Sequence, residues 1–315
     1  MQQSLNMAPD TMVCSSLISV VVCTRNRCDF TVGIMRTILL NEYPDFEVIL
    51  VDQSTNNDTA NAIGQFLGDP RFQYIHSTTQ GAGRARNIGL SQAQGDIVAF
   101  TDDDCTVPSN WLEVIMGIFA TYPRVAMLFC NVDPAPYDGS VGFIPAYQRH
   151  DDLLVRTLWD KCRARGMGAG MAVRRDFILS IGKFDENLGP GAPFLACEEG
   201  DLAVRVLLNG GWVYETHQTS VTHYGFRTWH EGKQLTKRDW FGIGAAYAKP
   251  LKCGYWRVII IVMYEMLVEA LLKPLTKLLR LKKPQGLKQV FYFFQGFVKG
   301  LRTPVDCQHI IYRLP

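Results

Sequence analysis

The chain has 315 residues and a mass of 35.5 kDa, enough for one large domain or two ordinary ones, and enough to build a core without staples. Hydrophobic residues make up 47% and charged residues 20%, which excludes a disordered chain, and a net charge of +2 excludes a global basic field and with it a nucleic-acid partner. The sum hides an asymmetry, because residues 251–315 hold 11 Lys/Arg against Glu265, Glu269 and Asp306, so the rest of the chain is net acidic.

Residues 1–16 read as a flexible polar leader, without the basic and apolar regions of a signal peptide. β-Branched runs follow at Ile18–Cys23, Val48–Asp52, Phe72–His76 and Ile97–Thr101. Helical patterns separate them at Phe30–Asn41, Thr59–Leu67 and Gly83–Ala93. Strand and helix alternate with a period of about 25–30 residues, which predicts βαβ units and a mostly parallel, helix-covered sheet. A helix is predicted over Asn110–Ala120 and a strand over Val125–Val132. Residues 133–165 read as a variable, partly loop segment. Gly168–Val173 reads as a strand, Glu199–Leu208 as a helix stopped by Gly210-Gly211, and Trp212–Glu215 and Ser220–His223 as two further strands. Beyond residue 240 a helical extension is predicted. There Glu265, Glu269, Lys273, Lys277 and Arg280 mark one helix face, and Leu267, Leu271, Leu275 and Leu278 another. Pro274 kinks this helix, Lys282-Lys283-Pro284 ends it, and an aromatic patch follows at Phe291–Phe297. Its apolar runs are too short and too interrupted by charge to span a bilayer. The nine cysteines, odd in number and without a CxxC pair, read as reduced thiols of a cytosolic chain.

Five sequence motifs carry chemistry. Asp102-Asp103-Asp104 closes a strand, and alternation places Asp102 and Asp104 on one side. Two such carboxylates repel unless a cation sits between them, and oxygen ligands suit Mg²⁺ or Mn²⁺. Asp52 ends another strand, as an acceptor for a base or ribose or as a local turn cap. Thr24 and Arg27 close the first strand, so three strand ends bring polar groups to one rim, where open α/β sheets bind ligands. Gly81–Gly89 is a glycine turn feeding a helix with Arg84 and Arg86, both suited to diphosphate; its spacing is wrong for a dinucleotide fingerprint. Glu198, Glu199 and Asp201 open a helix, near Gly168-Ala169-Gly170 and Gly189-Pro190-Gly191 in sequence, as candidate bases beside a crevice or as dipole-complementing acids. Asp201 and Arg205 also stand at i, i+4 and form a pair in the second reading. His223 follows a short apolar strand and is the third candidate cation ligand.

Taken together, the residues Cys23-Thr24-Arg25-Asn26-Arg27, Leu50-Val51-Asp52, Ala85-Arg86-Asn87-Ile88-Gly89, Asp102-Asp103-Asp104, Gly182-Lys183-Phe184-Asp185-Glu186 and Glu198-Glu199 resemble the nucleotide-sugar-dependent glycosyltransferases of family 2. The resemblance covers roughly residues 17–225. It implies a GT-A fold with a catalytic domain over 17–240, in which 17–105 hold the nucleotide sugar and 106–240 the acceptor, and a C-terminal extension over 241–315. It implies that Asp52 binds the base and that Arg86 binds base or diphosphate. It further implies that Thr24, Arg27 and Asp103 line the donor site, that Asp102 contacts nucleoside and metal, and that Asp104 and His223 complete the metal shell. Glu199 stands where the family usually has its Asp base, with Glu198 beside it. A Gln-x-x-Arg-Trp motif of processive synthases is absent, so one sugar is added per reaction. The implied donor is a UDP- or TDP-type sugar, the cofactor Mg²⁺ or Mn²⁺, and the acceptor a glycan or lipid-linked hydroxyl. The basic, aromatic C-terminal stripe reads as a surface for the inner face of the membrane; packing on the catalytic domain or a homodimer contact is the other reading of it. Two rival readings are a non-catalytic sugar-nucleotide-binding scaffold and a metal-dependent phosphohydrolase. The second would place its nucleophilic aspartate on the first strand, where Cys23-Thr24 stands.

Overall fold

A computed structural model describes residues 17–272 and 287–313. The leader 1–16, Lys273, Pro274, Lys277, Arg280 and the Lys282-Lys283-Pro284 stop lie outside the described residues. The elements begin with β1 (Ile18–Thr24), α1 (Cys28–Leu39), β2 (Phe46–Asp52), α2 (Asp58–Ala62), β3 (Phe72–His76), α3 (Ala82–Gln92) and β4 (Ile97–Asp102). These are the predicted strands and helices, with ends shifted by a few residues. Then come β5 (Cys105–Thr106), α4 (Trp111–Thr121), β6 (Val125–Pro134), β7 (Gly142–Phe143), β8 (Leu153–Val155), α5 (Leu158–Lys161), β9 (Met171–Arg174), α6 (Arg175–Ser180), α7 (Glu198–Leu208) and β10 (Trp212–His223). The two strands read at 212–215 and 220–223 are one strand, β10, with an irregularity in its pairing between Thr216 and Ser220.

The main sheet runs β3-β2-β1-β4-β9-β6-β10-β5, with β8 pairing β10. Its first four strands are parallel. The far half is mixed, because β9 enters antiparallel between β4 and β6. The strands are apolar throughout because both faces are covered. Ile18, Val20 and Val22 pack under α1 and α4 with Ile34, Met35 and Trp111, while Val21 packs under α3, α6 and α7 with Leu90, Ile178 and Leu202. Register carries the functional consequence. Thr24 pairs with Asp52 and Cys23 with Asp102, so the carboxyl ends of β1, β2 and β4 finish at one level.

After β11 (Arg227–Thr228) comes α8 (Trp229–Lys252), which runs unbroken across residue 240, where the sequence reading divided the chain. It opens with a reciprocal cap between Thr228 and Glu231, and Pro250 is tolerated in its last turns. The short α9 (Ile259–Tyr264) continues into a wider helical turn over Glu265–Leu272, and α10 (Leu287–Arg302) precedes a two-stranded hairpin, β12 (Val305–Asp306) and β13 (Ile311–Tyr312). α8 and α10 cross with backbones nearly touching, since a Cβ on Gly244 would lie 2.1 Å from the Phe293 carbonyl oxygen. Phe293 is fully buried in a third core cluster with Trp240, Val258, Ile261 and Tyr312.

The cysteines are not all reduced thiols, contrary to what their number and spacing predict. Cys253, just after α8, and Cys307, in the hairpin, form a disulfide with their Cα atoms 5.3 Å apart. The two are 54 residues apart, a separation at which no spacing rule signals a pair; the fold alone makes them neighbours. The other described cysteines are free.

Candidate active site

The carboxyl rim of the sheet, the α7 start and the cleft-facing side of α8 enclose an open cleft of about 2010 Å³. Thr24, Arg27, Arg86, Asp102, Asp103, Asp104, Glu198, Glu199 and His223 all line it. The structure therefore brings together every predicted site residue except Asp52.

Asp52 departs from expectation. It is fully buried, its Oδ1 accepts from the Ser54 backbone N–H at 2.8 Å and its Oδ2 from the Tyr74 hydroxyl at 2.9 Å. This is the local turn cap of the alternative reading, and the residue of that strand end on the cleft is Gln53. Asp103 is likewise turned inward, with Oδ2 accepting from Thr24 Oγ1 at 2.8 Å and Oδ1 from Arg27 Nη1 at 3.0 Å. Burial pushes its carboxyl up to about 6 against the pull of Arg27.

The alternation expected of Asp102 and Asp104 also fails, because β4 ends at Asp102 and Asp103-Asp104 form a turn. The Asp102 carboxylate, 42% exposed, lies 3.4 Å from Arg86 Nη2. Asp104 instead meets His223, whose Nε2 stands 3.3 Å from its Oδ1. The antiparallel pairing of β10 with β5, His223 opposite Cys105, delivers that histidine. Its other nitrogen is fixed on the Pro145 carbonyl at 2.9 Å. Burial works against a charged imidazole here, yet the Asp104 hydrogen bond and charge outweigh it and hold His223 above its usual range. Burial also opposes ionisation of Asp104, and His223, then Arg27, overcome it and keep that carboxyl low.

Ligand atoms of Asp104, Cys105 and His223 lie within 4.8 Å of one another. Burial holds the Cys105 thiol protonated, so the donors suited to a hard divalent cation are the Asp104 oxygens and His223 nitrogen. The space belongs to the site: a Cβ on Gly225 would stand 2.5 Å from His223 Nε2 and 2.7 Å from Asp104 Oδ2. Asp104 and His223 thus fit a divalent cation, and Asp102 borders the same rim.

Across the cleft, Arg86 Nη1 donates to Glu198 Oε1 at 2.7 Å, both side chains nearly buried. Glycine makes room on both sides. A Cβ on Gly168 would lie 2.7 Å from Arg86 Nη2, and one on Gly189 2.7 Å from the Glu198 carboxyl. Glu198 is thereby committed, which leaves Glu199. Its Oε2 is buried without a hydrogen-bond partner, and burial, then the neighbouring Glu198 charge, push its carboxyl up to about 8. Leu195 and Cys197, which lead into it, hold left-handed backbone at φ 67° and 74°, a cost that non-glycine residues carry where the surroundings impose the geometry. Asp201, by contrast, pairs with Arg205 at 2.9 Å inside the protein, the structural reading of the i, i+4 spacing.

The sequence reading missed the contribution of α8, whose Lys233, Asp239 and Tyr247 line the cleft. Burial raises the Asp239 carboxyl to about 6. The Thr228-x-x-Glu231 cap was the available signal for that helix.

Residues 19–140 match the family described as Glycosyl transferase family 2. A glucosyl-dolichyl phosphate glucuronosyltransferase of Haloferax volcanii is 24% identical over 324 residues, covering 91% of this chain and 97% of that protein. An uncharacterized glycosyltransferase of Rickettsia bellii is 31% identical over 97 residues, which is 31% of this chain and only 14% of that relative's length. Among solved structures, the mannosyltransferase PcManGT from Pyrobaculum calidifontis, in complex with GDP-Man and Mn²⁺, is similar with a TM-score of 0.63 at 18% identity, covering 95% of this chain and 91% of that one.

Proposed function

The chain belongs to family 2 of the glycosyltransferases and has the GT-A fold, and on that premise we propose that it is a metal-dependent, inverting enzyme that adds one sugar from a nucleotide diphosphate sugar to an acceptor hydroxyl. The observation that carries the reading is the pairing of two different sites across one cleft: Asp104 with His223 on the strand rim, and an unpartnered Glu199 oxygen at the start of α7. In this reading Glu199 takes the proton of the acceptor hydroxyl as that oxygen forms its bond to the anomeric carbon and the bond to the nucleoside diphosphate breaks. Arg86 and Arg27 bind the diphosphate, Asp102 reaches the ribose, and Gln53 stands nearest the base. Asp103 and Asp52 support them from behind. A bound Mg²⁺ or Mn²⁺, held by Asp104 and His223, would supply positive charge to the leaving group. PcManGT is in complex with GDP-Man and Mn²⁺ and the similar S. aureus TarS with UDP-GlcNAc, which supports a nucleotide sugar donor without naming the base. A UDP- or TDP-type donor is our proposal.

The test is calorimetry of UDP, TDP and GDP binding with and without Mn²⁺. Asp104→Ala should remove the metal-dependent part of binding while the fold survives. Metal dependence unchanged in that variant would sink the cation assignment.

We place the acceptor on a lipid. Among the described residues no helix is long and apolar enough to cross a membrane. The extension nevertheless turns an apolar face outward. Glu265 and Glu269 point inward to Arg165, at 2.7 and 3.1 Å, while Trp256, Ile259, Met263, Leu267 and Leu271 are exposed on one side of the helix. Phe291, Phe294 and Val298 are exposed on α10, and Arg257 lies beside Trp256, although Phe293 is core, Lys288 lines the cleft and the Lys299 ammonium sits over the Phe194 and Phe241 rings. An apolar face with a basic residue and a Trp anchor binds anionic lipid in plane, which would seat the enzyme peripherally on a cytoplasmic membrane face. Co-sedimentation of the full chain with anionic vesicles should occur at low salt, and Trp256→Ser with Phe291→Ser should abolish it. If the wild-type chain stays in the supernatant and elutes as a dimer, the face is a homodimer contact instead.

A further inference from the structure

We propose that Arg27 acts as a stand-in for the divalent cation, holding the Asp104 carboxylate in the nucleotide-free chain and yielding it when a nucleotide diphosphate binds. The inference rests on the reading of Asp104 and His223 as cation ligands. Arg27 Nη1 donates to Asp104 Oδ2 at 2.9 Å and to Asp103 Oδ1 at 3.0 Å. The other Asp104 oxygen is 3.3 Å from His223 Nε2. Both Asp104 oxygens are thus engaged, and the guanidinium beside one of them repels an arriving cation, so opening that contact favours cation binding.

The Arg27 contact is the one free to open. Its side chain is 40% exposed, against 4% for Asp104 and 7% for His223. His223 is held from behind by the Pro145 carbonyl and Asp103 by Thr24, so neither can follow. Among the described residues, the Arg27 Nε and Nη2 donors enter no hydrogen bond, and the side chain lines the cleft. A guanidinium presents a planar fork that matches phosphate oxygens, so an arriving diphosphate offers Arg27 a better partner than a carboxylate it shares with His223. Its departure then exposes an Asp104 oxygen to the cation. Metal and nucleotide would each raise the affinity of the other by the same factor, as linkage requires. A bound metal could also couple to nucleotide through the phosphate itself, so the decisive measurement is made without nucleotide.

Mn²⁺ binding to the full chain is measured by electron paramagnetic resonance, for wild type, Arg27→Gln and Arg27→Lys, with and without UDP and GDP. Removing the competitor should tighten Mn²⁺ binding of nucleotide-free Arg27→Gln by about 10-fold or more, within the usual ~5–150-fold range of coupling between sites. Arg27→Lys, which keeps a charge but loses the fork, should fall between; it carries the test if circular dichroism shows Arg27→Gln unfolded. If nucleotide-free Arg27→Gln or Arg27→Lys binds Mn²⁺ no more tightly than wild type, while all bind it with nucleotide, Arg27 does not compete and the proposal fails with the cation site intact. If wild type binds no Mn²⁺ even with nucleotide, the cation reading falls and the proposal with it.

Discussion

Glu199→Gln should retain donor binding and lose at least ~10²-fold in turnover, the low end of what a general base contributes. The amide preserves shape and can still accept a hydrogen bond, but it cannot take the acceptor's proton. Glu198 cannot replace it, because Arg86 holds that carboxylate at 2.7 Å. The pH behaviour gives an independent check. With its carboxyl pushed up to about 8, Glu199 is mostly protonated at neutral pH in the free protein, so kcat/KM should rise as pH increases through about 8. The same shift has a stability consequence of fixed sign. A carboxyl whose folded value exceeds its unfolded value binds protons more tightly when folded. Its contribution is intact below the unfolded value, about 4.5, and is lost as pH rises towards 8. Glu199→Gln should therefore flatten the fall in melting temperature across that window. Full turnover in the variant would remove Glu199 from the mechanism and direct attention to Asp239, the other cleft carboxylate raised by burial.

Lys249→Ala should cost about 3–5 kcal/mol of stability, the range for breaking a buried ion pair from one side. Lys249 is fully buried, donates to Asp185 and lies 2.9 Å from Asp201, which also holds Arg205. Truncation would leave two buried carboxylates with one cation. The loss should exceed that from any exposed lysine, and urea denaturation measures it. Lys249→Met with Asp185→Asn should recover part of it, because a filled, uncharged site avoids the unpaired charge. A change under ~1 kcal/mol would mean that water reaches the cluster and screens its charges. The network also bears on function. Asp185 sits in the loop that leads to Glu198, and the Tyr312 backbone N–H donates to the same carboxylate at 2.9 Å. α8, the hairpin and the start of α7 are thereby joined, and the weakened protein should lose activity before it unfolds.

Local pattern alone specifies the parallel half of the sheet and the position of its functional rim. Apolar β-branched runs and intervening amphipathic helices signal themselves locally, and polar groups at strand ends are read in the same window. Asp104 and His223 lie at or just past strand ends and Arg86 and Glu199 near helix starts, where the family resemblance, not the local pattern, gives them their roles, and all four line one cleft. What the sequence left open was every choice between neighbours. Whether Glu198 or Glu199 is free depends on Arg86, 112 positions away from Glu198. Whether Asp102 or Asp104 meets His223 depends on a turn at the end of β4 that breaks the alternation on which the expectation relied. Whether Asp52 faces the base or caps its own turn depends on Tyr74 arriving from β3. The outward Leu267 and Leu271 and the inward Glu265 reverse the usual amphipathic reading, because Arg165, 100 positions earlier than Glu265, supplies a half-buried partner. The Cys253–Cys307 bond is of the same kind. Periodicity fixes which residues share a face, but only the packed fold fixes what that face meets, because charge pairing and desolvation act between residues far apart in the chain.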